Sequence, residues 1–113
     1  MATEKSITLR ITKWLDQQSN CWWLKYHGGM YSTAGTPDIL VSWHGHFYAF
    51  EVKQPGKYPT PIQKRVIAQI NAAGGQAHVV RSLEDVQGVF TDTAWSHYNE
   101  RSPGEPLGMS RRV

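Results

Sequence analysis

The sequence predicts an α/β domain: a central mixed sheet flanked by helices, with elements in the order α-β-β-β-α-β-α. Three observations carry this reading. β-rich runs lie on either side of His44-Gly45, a fully punctuated helix covers residues 60–75, and the strand-like "QAHVVR" follows it. A hairpin followed by a helix and another strand combines antiparallel with crossover connections, which only a mixed sheet accommodates.

In the first segment Thr3 is placed to act as N-cap. Ile7, Ile11, Trp14 and Leu15 recur at helical spacing, which predicts an amphipathic helix over residues 4–18. Glu4 precedes Ile7 by three positions and so belongs to the inward stripe; an acid in the first turn also suits the helix dipole, and both explanations stand. "CWWLKY" reads as a strand that opens into the Gly-rich loop "HGGMYSTAGTP". "DILVSW" and "HFYAFEVK", joined through His44-Gly45, read as an antiparallel hairpin.

After the turn "QPGKYP", Thr60 stands at N-cap, Pro61 at N1 and Gln63 at N3, with Ile62, Val66, Ile70 and Ala73 along one face and Gly74-Gly75 as the stop. "QAHVVR" reads as a buried strand, and Ser82 with Asp85 caps a short last helix ending near Phe90. From Thr91 the chain loses periodicity and gains Pro103, Gly104, Pro106 and Gly108. Residues 1–90 are therefore expected to form one domain and residues 91–113 an irregular tail, from which Trp95 and Tyr98 could dock on the body or on a second subunit.

A chain of 113 residues suffices for one core. The single cysteine, Cys21, excludes an intramolecular disulfide. There is no apolar run of membrane-spanning length, and the amphipathic, mixed-charge start is unlike a signal peptide, so a soluble cytoplasmic protein without a membrane partner is expected. A net charge of +3 and a pI near 9.2 favour polyanionic partners only mildly, since solubility alone explains such values. The cations fall in short groups: Lys53, Lys57, Lys64 and Arg65, then Arg111 and Arg112.

The hairpin makes a sharper statement. If the chain turns at His44-Gly45, Trp43 pairs with His46 and every cross-strand pair sums to 89, which includes Asp38 with Glu51. Directly opposed residues share a face with Cβ atoms about 4.5–5.5 Å apart. Lys53 lies two residues beyond Glu51, on the same face. Two carboxylates so placed repel unless a cation stands between them. Lys53 can be that cation in a purely structural cluster. A hard divalent ion is the other choice, because Mg²⁺ is commonly held by one or two carboxylates plus waters and phosphate oxygens. Such an ion could polarise a phosphate and activate a water, with Lys53 countering developing charge. Gln63 likewise has two explanations: it completes the capping box with Thr60, and it stands where a helix N-terminus would face the cluster.

These residues form a pattern: "PD" at Pro37-Asp38, a hairpin, then "EVK" at Glu51-Val52-Lys53. The pattern resembles the PD-(D/E)XK nuclease superfamily. "GTPDIL", "FEVK", "TPIQ" and "GGQAHVVRSLEDV" together resemble, more narrowly, the small stand-alone VRR-NUC (virus-type replication-repair nuclease) domains of phages and bacteria, over about residues 4–88. The resemblance implies a restriction-endonuclease-like core and a Mg²⁺-dependent DNA endonuclease, with Mn²⁺ as a substitute. Asp38, Glu51 and the Val52 carbonyl would be metal ligands, Lys53 the catalytic lysine, and Gln63 and Glu4 further site residues. It also implies a homodimer that cuts branched DNA such as four-way junctions. Two other readings remain: a non-catalytic nucleic-acid-binding module in which Lys53 bridges the acids, and a nuclease acting on ordinary duplex. A sequence-specific cutter of the restriction type is disfavoured, because the chain is short and carries no recognition-helix signature.

Overall fold

A computed structural model describes residues 2–26, 28 and 33–100, the side chains of 93–100 excepted. Its elements are α1 (Glu4–Leu15), β1 (Cys21–Lys25), β2 (Ile39–Trp43), β3 (His46–Val52), α2 (Pro61–Ala72), β4 (Gln76–Val80) and α3 (Leu83–Glu100). The strands lie in the order β1-β2-β3-β4, with β3 antiparallel to β2 and parallel to β4, so the sheet is mixed as expected.

The hairpin register is the one set by a turn at His44-Gly45, from Trp43↔His46 to Ile39↔Phe50. Positive φ values of 49° at His44 and 82° at Gly45 allow the tight two-residue connection that matches strand twist. Strand alternation then divides the side chains between two faces. Ile39, Val41, Tyr48, Phe50 and Val52 form one core with Ile7, Ile11 and Leu15 of α1, Val80 of β4, and Val86 and Phe90 of α3. Phe90 anchors α3 there by stacking on Trp43 at 4.3 Å between centroids. The opposite face carries Leu40, Ala49 and Glu51 and receives α2, which packs on β4.

α2 begins with the expected capping box: Gln63 N donates to Thr60 Oγ1 at 3.2 Å and Thr60 N to Gln63 Oε1 at 2.9 Å. It ends at Ala72 with Ala73 as C-cap, and Gly74 follows with a φ of 97° that suits the left-handed stop. Asn71 then fastens it to β4, accepting from Ala77 N at 2.7 Å and donating to Ala77 O at 3.2 Å. No α2 residue is fully buried, and Ile62 of the expected stripe is 44% exposed, because the helix covers only one side of its sheet face.

Three expectations change. α1 stops at Leu15, not residue 18: the Gln18 side chain caps the Trp14 carbonyl at 3.0 Å, and Asp16 Oδ1 accepts the Trp23 indole N–H at 2.7 Å. β4 is half-buried, not buried, since it forms a sheet edge. α3 does begin under Ser82, whose Oγ accepts from Asp85 N at 3.1 Å, but it continues to Glu100, ten residues past the expected end and into the stretch read as irregular tail. The side chains of Trp95 and Tyr98, and Arg111 and Arg112 entirely, lie outside the described residues.

Gly35 fixes how the loop before β2 approaches α2. Its φ is +82°, and a Cβ there would stand 2.8 Å from the Ile62 carbonyl oxygen. Gly56 has a similar φ of +86° with nothing within 4 Å of a Cβ. Gly56→Ala should therefore cost only the left-handed penalty, about 1–2 kcal/mol. Gly35→Ala should lose a further 1–3 kcal/mol or so from overpacking, measured by urea denaturation of both variants. Equal losses would mean that the α2 contact does not constrain Gly35.

Candidate active site

The site is built where β2 starts and β3 ends. Pro37 is fully buried, and the Asp38 carbonyl accepts from Tyr26 N at 2.8 Å, continuing the β1–β2 pairing one step. The Asp38 carboxylate reaches across the hairpin, where Oδ2 accepts the Val52 N–H at 2.8 Å. Asp38 and Glu51 are thus neighbours on one face, as the register requires.

Glu51 lies in the interior of the sheet and is only 2% exposed. Its Oε2 accepts from Gln63 Nε2 at 3.3 Å and lies 4.0 Å from Lys53 Nζ, on a lysine side chain that is itself only 12% exposed. Its Oε1 is buried without a hydrogen-bond donor. Desolvation, followed by the charge of Asp38, pushes the Glu51 carboxyl up to about 8. Lys53 pulls the other way and is outweighed.

Gln63 makes the expected cap with its Oε1, and its Nε2 donates to Glu51 Oε2, a contact the sequence reading did not include. Val52 contributes through its backbone. Glu4 is exposed in the first turn of α1 and reaches the cluster only by its charge, as the least of the influences raising Glu51. Sequence reasoning missed the Asp38–Val52 bond, which replaces simple repulsion by a tie across the hairpin. It also missed Arg81, whose Nη2 donates to Lys57 O at 2.8 Å and steadies the loop between Lys53 and Gln63. The signal was in the parallel pairing, which needs a β3–β4 register to read.

The arrangement fits a hard divalent cation. A buried carboxylate oxygen without a donor, beside a second carboxylate, is short of positive charge. Among the described residues no group of three or more His, Cys, Asp or Glu side chains could hold a metal. The protein would therefore supply two carboxylates and leave the remaining positions to backbone, water or phosphate, as Mg²⁺ accepts.

The pH consequence has a definite sign. Glu51 sits at about 8 when folded against an ordinary 4.5, so the native state keeps a proton that the unfolded chain has lost. The associated stability is fully present below about 4.5 and is lost as pH rises through about 8. In EDTA, the Tm of the wild type should fall more steeply from pH 5 to pH 9 than that of Glu51→Gln, which cannot ionise. Parallel curves would contradict the desolvated state of Glu51.

No protein-family model matches the chain, and no curated protein does. Among solved structures, one described as a VRR_NUC domain protein aligns with a TM-score of 0.62 at 23% identity, covering 80% of this chain and 86% of the other. A second, described as a VRR_NUC domain, aligns with a TM-score of 0.63 at 24% identity, covering 86% of this chain and 99% of the other. The four-stranded mixed sheet, its flanking helices and their order are those of the VRR_NUC fold.

Proposed function

We propose that this protein is a nuclease of the PD-(D/E)XK type that hydrolyses DNA phosphodiesters with the help of a divalent cation. The observation that carries this reading is Glu51: a carboxylate 2% exposed, with one oxygen lacking a donor, placed beside Asp38, Lys53 and Gln63. Its likeness to VRR_NUC domains supports the same reading. A pure DNA-binding module would gain nothing from two acids facing phosphate, since they repel the backbone it must hold.

Asp38, Glu51 and the Val52 carbonyl would hold Mg²⁺, or Mn²⁺ in its place. The ion supplies Lewis-acid polarisation of the scissile phosphate and lowers the pKa of a nearby water. Lys53 stands beside the acids, where its ammonium offsets charge building on the phosphate oxygens and orients the attacking water. As the water adds to phosphorus, the bond to the leaving oxygen breaks. Gln63 keeps Glu51 in position throughout, and Glu4 lends charge from the rim. Branched DNA, including four-way junctions, is the proposed substrate class. A homodimer would place two such sites so as to cut two strands.

The test uses labelled linear duplex, flap and four-way DNA with Mg²⁺ or EDTA. Cleavage should require the metal, and Lys53→Ala should lower the rate by roughly 10²–10³-fold. No metal-dependent cleavage of any substrate would sink the enzyme reading, while equal cutting of linear duplex and junction would remove only the branched preference. Binding is separable from turnover. At about 100 times its Kd, Mg²⁺ should stabilise the wild type by about 2.7 kcal/mol, seen as a raised Tm, and Asp38→Asn should lose that shift.

A further inference from the structure

The loop between β3 and α2 carries an arrangement that the Glu51 site does not use. Tyr58 is 74% exposed, more than any other large hydrophobic side chain among the described residues. Its ring is nevertheless held. The Arg81 guanidinium lies over it, 5.2 Å from the centroid, and the same guanidinium binds the Lys57 carbonyl at 2.8 Å. Lys57 N donates in turn to Gln54 O at 3.1 Å, closing the turn beneath. Fixing an exposed aromatic costs side-chain entropy and buries almost nothing, so folding gains little from this brace.

Its location gives it a use. Val52 pairs with Val80, and Lys53 N donates to Val80 O at 3.0 Å, so the parallel register puts Arg81 level with Lys53. Val80 points into the core, and Arg81, directly after β4, reaches the loop that links Lys53 to Gln63 by its bond to Lys57 O. Tyr58 therefore stands on the segment that joins Lys53 to Gln63, one ring face against Arg81 and the ring largely open. Lys57 precedes it on the same loop, and Lys64 and Arg65 follow in the first two turns of α2. A rigid, open aromatic face among cations is what a strand with exposed bases recognises: phosphates pair with the cations and a base stacks on the ring. Bases inside a continuous duplex offer no such face.

We infer that Tyr58, positioned by Arg81, is a stacking site for an unpaired nucleobase, and that it directs a strand leaving duplex geometry toward the Asp38–Glu51 site. The inference rests on the nuclease reading for its purpose but not for its test, which is binding in EDTA.

Fluorescently labelled linear duplex and the same duplex bearing a single-stranded flap would be titrated with wild type, Tyr58→Ala, Tyr58→Trp and Arg81→Ala, each first checked for Tm. Tyr58→Ala should weaken flap binding roughly 5- to 150-fold, the range given by loss of one stacked base, while changing linear-duplex binding by less than about 2-fold. Tyr58→Trp should retain flap binding, and Arg81→Ala should lose part of it. Equal losses on both DNAs, or none on the flap, would overturn the stacking site. So would a self-association lost in Tyr58→Ala with flap binding intact, which would assign the ring to a contact between copies. The two readings fail separately: Tyr58-dependent flap binding by a protein that never cuts refutes the nuclease and keeps the stacking site, and metal-dependent cutting with no Tyr58 dependence does the reverse.

Discussion

The structure turns on keeping one carboxylate, Glu51, inside the sheet next to another. Burying an ionised acid is costly, and adding a second charge beside it costs more. The protein's own lysine relieves this only in part: Lys53 Nζ lies 4.0 Å from Oε2, and Oε1 is left with no donor. Glu51 pushed up to about 8 is the signature of that unmet demand, with desolvation as its leading cause and Asp38 next. Were the cluster only a structural ion pair, closer contact and a satisfied Oε1 would be the cheaper arrangement.

Everything around Glu51 serves to hold it there. Asp38 is fixed twice, by its carbonyl to Tyr26 and by its carboxylate to Val52, so the pair cannot spread apart as two free carboxylates would. Gln63 divides one amide between capping α2 and holding Glu51, which makes the start of the helix and the position of the acid a single constraint. Gly35 lets the loop before β2 press against the first turn of that same helix. The other sheet face, sealed by α1 and α3 around Phe50 and Phe90, supplies the packing that tolerates this strained neighbourhood.

The parts of the molecule legible in the sequence were those set locally. A two-residue turn fixes the register, so Asp38 and Glu51 could be paired by arithmetic, and Thr60-Pro61 with Gln63 announces a helix start that the structure keeps. Depth was not legible. That Glu51 is 2% exposed, while Glu4 in the first turn of α1 is exposed, depends on how the helices pack on the two faces of the sheet. The length of α3 was hidden because Gly88, Thr91 and Asp92 are weak helix formers; Phe90 holds the helix through contacts with Trp14, Trp43 and Tyr48 that lie far away in sequence. The Arg81 brace escaped notice for a similar reason, since its partners Lys57 and Tyr58 come together only once β4 lies parallel to β3.

That parallel pairing also explains why the chemistry gathers at one edge. The turn at His44-Gly45 sends β3 back toward the start of β2, so its end brings Glu51 and Lys53 to Asp38, and β4 delivers Arg81 to the same edge. α2 starts immediately beyond β3 and α3 immediately beyond β4. α2 and α3 thus begin close after the ends of β3 and β4, the end of the sheet that holds the acids. Glu51 remains raised there, because desolvation and the charge of Asp38 outweigh the opposing charge of Lys53. What remains unmet is local to Glu51 Oε1, buried without a hydrogen-bond partner in the middle of that cluster.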